Sequence, residues 1–358
     1  MKVETFLRRV PFWLFALVFV LLSALKVGIR WPQVVVWINE YGLLPESSPE
    51  PLSYGFRLVG AVLEFDSASH YLALSTVVSI AAVAATVTII YLRLGSGLAG
   101  RIATLFLVAG PIVWTLASNV GRIDSLLILG SALLVGPRKF SPTVVVGIVL
   151  MILANPEQAV VASSSLLLLS FNSDFVYLRA RAILALFLCG CAVLLLIVWS
   201  ETINVGAAGG QSRLDLLPIL AGQSLGRFFI YLPLQFWAGL GMAGFLILWT
   251  AASKPGWRNR LCLVGGSILV PGLATSLTLD QSRVFISTSA AAVVAIVLRY
   301  ADALSDRLER MTTHPLAMVA LAALVLPAVH IDFAGEVVPP WLNIYEYLSV
   351  RLTAWTAS

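Results

Sequence analysis

The sequence predicts an all-α membrane protein, a polytopic helical bundle with about eleven transmembrane segments. Hydrophobic residues make up 59% of the 358 residues and charged residues only 11%, and the mean hydropathy is +0.94. These values are far from those of a soluble globular domain. Long apolar runs, separated by short polar connections, occupy most of the chain. Residues 1–358 are therefore expected to form a single integral-membrane domain.

Eleven apolar windows are long enough, or nearly long enough, to cross a bilayer core, which needs about 20 apolar helical residues. They are residues 12–28, 71–91, 102–116, 125–136, 141–154, 158–171, 182–199, 229–250, 261–277, 284–298 and 315–329. The fourth, fifth and sixth windows are short, so the polar clusters beside them are expected at the membrane interface. The number of spans is therefore nine to eleven.

The basic residues predict the orientation, because loops rich in lysine and arginine stay in the cytoplasm. With eleven spans and the N-terminus inside, the inner segments contain fifteen basic and five acidic residues, a net charge of +10, which leaves −5 outside. The inner basic residues are Lys2, Arg8, Arg9, Arg93, Arg101, Arg138, Lys139, Arg179, Arg181, Lys254, Arg258, Arg260, Arg299, Arg307 and Arg310. This sorting predicts an N-in, C-out topology and gives no argument for nucleic-acid binding. A cleaved secretory signal is the alternative reading of the N-terminus, but residues 23–26 lack a small-x-small site.

Three outer segments are long: residues 29–70, 200–228 and 330–358. In the first, residues 32–41 and 54–65 have the pattern of short amphipathic helices that lie on the membrane surface. The glycines at 206, 209 and 210 predict a mobile loop, a candidate lid. The tail has Trp341, Tyr345, Tyr347 and Trp355, which is typical of an interfacial aromatic belt.

Three polar clusters interrupt the apolar runs on the predicted outer side, where charge is costly. They are residues 121–124 (Gly-Arg-Ile-Asp), 155–158 (Asn-Pro-Glu-Gln) and 280–283 (Asp-Gln-Ser-Arg). One interpretation is capping: Asn155 suits an N-cap before Pro156, Asp124 and Asp280 precede apolar runs, and Arg283 has the i, i+3 spacing to pair with Asp280.

The alternative interpretation is a shared site. All three clusters mark helices that enter the membrane from outside, so their dipole-positive N-termini, with Arg122 and Arg283, are expected at one depth. Helix N-termini and arginine forks bind phosphate, and nearby carboxylates act as bases. The pattern therefore predicts a site for an anionic, lipid-linked substrate, with Glu157, Gln158, Asp280 and both arginines as binding residues.

The chain also resembles a known family. Its long first outer loop with two surface helices and its short re-entering helices resemble the GT-C superfamily of polytopic glycosyltransferases, which includes small bacterial enzymes of surface-polysaccharide assembly. The motifs at 121–126, 155–159 and 280–285 are similar to motifs of members in such polysaccharide clusters. The resemblance covers most of the chain as architecture, and its motifs are short. It implies a bacterial inner-membrane enzyme that transfers sugar from a polyprenyl-phosphate-linked donor to a glycan or lipid-linked acceptor. It also implies a catalytic acid in or near the first outer loop, where Glu40, Glu64 and Asp66 lie, although no paired Asp-Asp or Asp-Glu motif is present.

Asp66 is the preferred candidate base, with His70 four residues on as a binding residue and Asp124 as a further catalytic candidate. Capping of the second span is the alternative role for Asp66. His330 and Asp332 form a second possible acid/base pair. Neither pair has metal-ligand spacing, and no metal or cofactor is expected.

Two other functions stay open. An oligosaccharide polymerase or ligase would use the same outer residues. A lipid-linked sugar flippase would need polar residues at mid-depth. Apart from Lys26, the span interiors contain almost no charge, which favours chemistry at the outer face.

Overall fold

The computed structural model describes residues 2–29, 62–64, 68–120, 123–203, 222, 224–278, 281–331 and 337–338. These residues are almost entirely helical, which confirms the all-α prediction, and each of the eleven apolar windows is largely helical. The first helices are α1 (Lys2–Arg9), α2 (Phe12–Val27), α3 (Ala68–Leu94), α4 (Leu98–Leu107), α5 (Pro111–Ser118), α6 (Asp124–Val135), α7 (Pro142–Ala154) and α8 (Pro156–Leu169). A 3-10 helix (Ser173–Leu178) then leads into α9 (Arg179–Ile203).

The second half of the chain contains more interrupted helices. Residues 224–230 are helical and precede α10 (Leu232–Leu240) and α11 (Met242–Ser253). There follow α12 (Trp257–Val264), a π-helical segment (Gly265–Leu269), α13 (Val270–Ser276), α14 (Gln281–Met311) and α15 (Pro315–Val325). Beyond α15, β1 (His330–Ile331) pairs antiparallel with β2 (Val337–Val338).

Four stretches of the described chain are long and apolar enough to cross a membrane, and six if each bent helix pair counts as one span. They are Ala73–Leu94, Leu98–Ser118, Ser173–Leu195 and Gln281–Met311. The most apolar windows of Leu98–Ser118 and Gln281–Met311 are 94% buried, whereas those of the other two are 33% and 28% buried. Leu98–Ser118 and α14 therefore form the centre of the bundle, and the other two stretches present apolar side chains to their surroundings.

Two predicted windows are not straight helices. The window at 229–250 is broken at Gly241, where α10 and α11 meet at 99°. Gly241 has φ +49°, and a Cβ there would lie 2.9 Å from Cδ of Pro111, so glycine is required at the break. The window at 261–277 contains the π-helical segment, in which a Cβ on Gly266 would lie 2.6 Å from the carbonyl oxygen of Ser165. These glycines let α10–α13 pack closely against neighbouring helices.

Ion pairs between helices lie at two ends of the bundle. Arg8 pairs with Glu309, and Asp174 pairs with both Lys254 and Arg299. The charge pattern predicts all five positions on the cytoplasmic side. We call the end of the bundle that holds these five residues the inner end, and the end that holds Asp124 and Arg283 the outer end.

Helix direction follows from the same contacts. Asp124 and Arg283, at the starts of α6 and α14, are in contact, and Asp174, just after α8, accepts a hydrogen bond from Tyr300 in the second half of α14. The helices α6, α8 and α14 therefore run in the same direction, from the outer to the inner end. The expected surface helices at 32–41 and 54–65 (apart from residues 62–64), the loop at 204–221 and the tail at 339–358 lie outside the described residues.

Candidate functional site

An ion pair joins the beginnings of two helices at the outer end. Asp124 is the first residue of α6 and Arg283 is the third residue of α14. Nη1 of Arg283 lies 3.3 Å from Oδ2 of Asp124, and the two side chains are 15% and 2% exposed. The pair is thus nearly dry, and charge removed from water must be well satisfied to be tolerated.

Ser287 completes this group on the side of α14. Its Oγ donates a hydrogen bond of 2.8 Å to Oδ1 of Asp124. Because Ser287 lies four residues after Arg283, both side chains project from the same face of the helix. Each carboxylate oxygen of Asp124 therefore has a partner on α14. We call Asp124, Arg283 and Ser287 the outer ionic group.

The capping prediction is confirmed at one cluster and wrong at another. Oδ1 of Asn155 accepts a hydrogen bond from the backbone N–H of Gln158 at 3.1 Å, with Pro156 in the first turn, as expected for an N-cap. Asp124 does not cap its helix: Ile123 is at the N-cap position and the carboxylate points across to α14. The buried guanidinium of Arg283 offers that carboxylate a stronger, charge-assisted partner than a backbone amide does.

The first turns of α8 lie at the same outer end. Val160, Val161 and Ser164 of α8 line a groove together with Ser276 and Leu277, which precede the start of α14. Glu157 is exposed on this turn and Gln158 is partly buried. This arrangement is consistent with the prediction that residues 155–158 and Arg283 lie at the same end of the bundle.

A second polar group lies at the start of α14 and involves a different residue of the same cluster. Nε2 of Gln281 donates to the carbonyl oxygen of Ser224 at 2.8 Å and contacts its Oγ at 3.2 Å. Oε1 of Gln281 accepts from Nε2 of Gln235 at 2.5 Å. All three residues are buried. We call Gln235, Gln281 and Ser224 the amide bridge.

The remaining predicted site residues are placed as follows. His70 is exposed in the first turn of α3. Glu40, Asp66, Arg122 and Asp280 lie outside the described residues, so their roles remain predictions. Among the described residues, no group of three or more His, Cys, Asp or Glu side chains is placed to hold a metal ion.

Sequence reasoning missed Ser287, Gln235 and Ser224. Ser287 could have been found from its i, i+4 spacing to Arg283, and Gln235 from the presence of an amide inside an apolar window. Ser224 carries no such signal, because its contact depends on a chain separation of 57 residues.

No protein-family model, curated protein or solved structure matches this chain. The function therefore has to be argued from the chemistry of the outer end.

Proposed function

We propose that this chain is a glycosyltransferase of the bacterial inner membrane. It would transfer a sugar from a polyprenyl-phosphate-linked donor to a glycan or lipid-linked acceptor at the extracytoplasmic face. The observation that carries the proposal is the outer ionic group, in which a buried carboxylate holds an arginine at the start of a central helix.

Arg283 is proposed to bind the phosphate of the lipid carrier. A guanidinium has several donors, so it can face Asp124 with one edge and a phosphate oxygen with another. The N-terminus of α14 adds a favourable field for an anion. The proposal extends the same role to Arg122, which precedes Asp124 by two residues.

Asp124 is better suited to position Arg283 than to exchange protons. Its side chain is 2% exposed, and both of its oxygens have partners on α14. A general base must reach the proton that it removes. We therefore favour Asp66 as the base, with Glu40 as the second candidate, and treat Asp124 as a positioning residue.

The proposed sugar transfer is a single displacement at the anomeric carbon. The acceptor hydroxyl gives its proton to the carboxylate of Asp66, and its oxygen forms a bond to the anomeric carbon. The bond from that carbon to the phosphate oxygen breaks, and the polyprenyl phosphate leaves with the bonding electron pair. The arginines stabilise the negative charge that develops on the leaving phosphate.

The activity test uses purified protein in liposomes with a radiolabelled polyprenyl-phosphate hexose and a glycan acceptor. Asp66→Asn should lower kcat by ~10²-fold or more, as expected for loss of a general base, with little change in lipid binding. Ser67→Ala, which removes only a hydroxyl beside it, is the matched control and should keep most of the activity. Full transfer by Asp66→Asn would remove Asp66 from the mechanism, and no glycan product from the wild type would remove the transferase.

The proposal also requires eleven spans with an N-in, C-out topology. Reporter tags at Lys139 and Lys254 should then read cytoplasm, and tags between Gly206 and Gln211 and after Ser358 should read outside. An outside signal at Lys139 would put the outer ionic group on the cytoplasmic side and would contradict transfer at the extracytoplasmic face.

A lipid-linked sugar flippase is the second candidate, because α10 and α11 form a helix pair broken by 99° at Gly241, as occurs in transporters. Movement of sugar lipid across the vesicles without any glycan product would favour it. An oligosaccharide polymerase or ligase would instead give products longer by many sugars.

A further inference from the structure

The short first helix, α1, is directed across the end of α2. The two helices are bent by 113° at the break before Phe12, which is close to a right angle. Along α2, Leu14, Leu17 and Leu21 are 49%, 53% and 53% exposed and present an apolar stripe to the surroundings. An exposed apolar stripe of this kind faces lipid. Because α2 faces lipid along its length, α1 is directed along the membrane surface.

Aromatic rings mark the depth at which α1 lies. The ring of Trp13, in the first turn of α2, packs against the ring of Tyr91 with centroids 5.3 Å apart. Phe12 packs against the same ring of Tyr91 at 5.5 Å. Tryptophan and tyrosine concentrate where the bilayer meets water. Since α1 directly precedes these rings, it lies at the level of the lipid head groups.

Contacts with three other helices hold α1 in place. The carboxylate of Glu4 accepts hydrogen bonds from two backbone N–H groups in the first turn of α15, at 3.4 and 2.8 Å. Arg8 pairs with Glu309 of α14. Arg101 of α4 donates to two carbonyl oxygens, one in the last turn of α1 and one just after it, at 2.9 and 2.6 Å. The helix dipole favours a cation at that end.

The rest of the surface of α1 is amphipathic. Val3 and Phe6 are 63% and 65% exposed, and their i, i+3 spacing puts them on one edge of the helix. Thr5 is exposed nearly opposite Val3, because two residues turn a helix by about 200°. Arg9, three residues after Phe6, is exposed beside the apolar edge. The helix therefore has an apolar edge that is bordered by a cation, and a polar edge on its other side.

We propose that α1 is an interfacial helix that binds anionic phospholipid at the inner end of the bundle. Val3 and Phe6 insert among the acyl chains just beneath the head groups, and Arg9 donates hydrogen bonds to a lipid phosphate. Thr5 faces water. The inference goes beyond the proposed function and does not depend on it, because α1 and the outer ionic group lie at opposite ends of the bundle.

The test places an NBD fluorophore on α1 in vesicles of phosphatidylcholine and phosphatidylglycerol. Of the three cysteines only Cys191 is partly exposed, and Cys191→Ala removes it, while the other two are buried. In this background Val3→Cys and Phe6→Cys carry the fluorophore on the apolar edge, and Thr5→Cys is the matched control on the polar edge. Phospholipid with a nitroxide on its acyl chain should quench the first two at least about threefold more than the third.

All three positions are exposed, so the substitutions leave the core of the bundle unchanged. The nitroxide lipid occupies both leaflets, and the result is therefore independent of the orientation of the protein. Equal quenching at Phe6 and Thr5, or no lipid quenching at any of the three positions, would overturn the proposal. Self-quenching at Phe6 between labelled copies, without quenching by lipid, would assign the apolar edge to a second copy and would also overturn it.

The preference for anionic lipid is tested with the fluorophore at Phe6. Nitroxide-labelled phosphatidylglycerol should quench about threefold more than nitroxide-labelled phosphatidylcholine. Arg9→Gln should remove this preference. Arg258→Gln, which removes the same charge from an exposed arginine of α12, is the matched control and should keep it. A preference that survives in Arg9→Gln would overturn the lipid site on α1. Equal losses in the two variants would also overturn it, because the lipid would then respond only to the net charge of the inner end.

Discussion

The two ends of the bundle each contain a carboxylate shared between helices, but they hold it in different ways. At the inner end Asp174 accepts from Nζ of Lys254 at 2.5 Å and from Oη of Tyr300 at 2.6 Å, with Arg299 at 3.4 Å. Asp174 is 16% exposed, and Lys254 and Arg299 are 28% and 50% exposed. At the outer end Asp124 and Arg283 are both nearly dry. The inner group is a set of ion pairs that is partly exposed to solvent. The outer group instead keeps its charges in a nearly dry site, where charge is costly.

The positions of the arginines along their helices sharpen this contrast. At the inner end Nη1 of Arg181 donates to the carbonyl oxygens of Leu134 and Pro137 at 3.1 and 2.7 Å, and Arg93 donates to that of Gly136 at 3.2 Å. These cations sit at the C-terminus of α6, where the helix dipole favours them. Arg283 sits in the first turn of α14, where the dipole opposes a cation. The helix dipole favours the inner arginines but not Arg283, whose charge is satisfied by Asp124 instead. A charge kept at such a position is the pattern expected of a residue with a functional role.

The largest effect is expected from Asp124→Ala. This change removes the Asp124 carboxylate from a nearly dry ion pair, and breaking a buried ion pair costs about 3–5 kcal/mol. The melting temperature in detergent should fall sharply and sugar transfer should be lost. Asp124→Asn keeps the shape of the side chain and an acceptor for Ser287. The melting temperature and sugar transfer should therefore both fall less than in Asp124→Ala. A melting temperature equal to that of the wild type for Asp124→Ala would mean that the pair does not bear on stability.

An intermediate effect is expected from Asp174→Ala. The loss of the shared acceptor leaves Lys254 and Tyr300 without their carboxylate, but both cations of this group are partly exposed and water replaces some of the contact. We expect a loss of about 1–3 kcal/mol in unfolding free energy and an unchanged KM for the sugar lipid in the protein that remains folded. A raised KM with normal stability would contradict the division of roles between the ends.

The smallest effect is expected from Glu309→Gln. Its ion pair with Arg8 spans 3.0 Å, but the two side chains are 48% and 40% exposed. Exposed pairs contribute about 0–1 kcal/mol and are screened by salt. The melting temperature should therefore change little, and the small difference should disappear at high salt. A difference in melting temperature that persists at high salt would show that this ion pair is not screened by solvent, as an exposed pair should be.

Much of the fold was predictable because hydropathy reports directly on which segments avoid water. The apolar windows coincide with helices, and Asn155, which precedes a proline, caps α8 as its residue type predicts. The window at 229–250 is different, because its break at Gly241 depends on the close approach of Pro111 from another helix. No local pattern reports such a contact.

The site was predictable only in part, for a similar reason. The residue types at 121–124 and 280–283 pointed to the outer end, and the meeting of Asp124 with Arg283 agrees with the predicted convergence. The capping role that local spacing suggested for Asp124 is wrong, whereas the suggested pairing of Arg283 with Asp280, which lies outside the described residues, stays a prediction. Contacts between α6 and α14 span about 160 residues of chain, and neither Ser287 nor the amide bridge has a sequence signal strong enough to place it.

The most direct test of the difference between the two ends is one substitution made at each of them. Arg283→Lys and Arg181→Lys both keep the charge and remove the guanidinium fork, and sugar transfer by the two variants would be measured in the same liposome preparation. We predict that Arg283→Lys loses at least about tenfold in kcat/KM, which corresponds to about 1.4 kcal/mol. Arg181→Lys should stay close to the wild type, because a lysine can still donate to the carbonyl oxygens of α6. Equal activities, or a larger loss for Arg181→Lys, would contradict a functional role for the outer end.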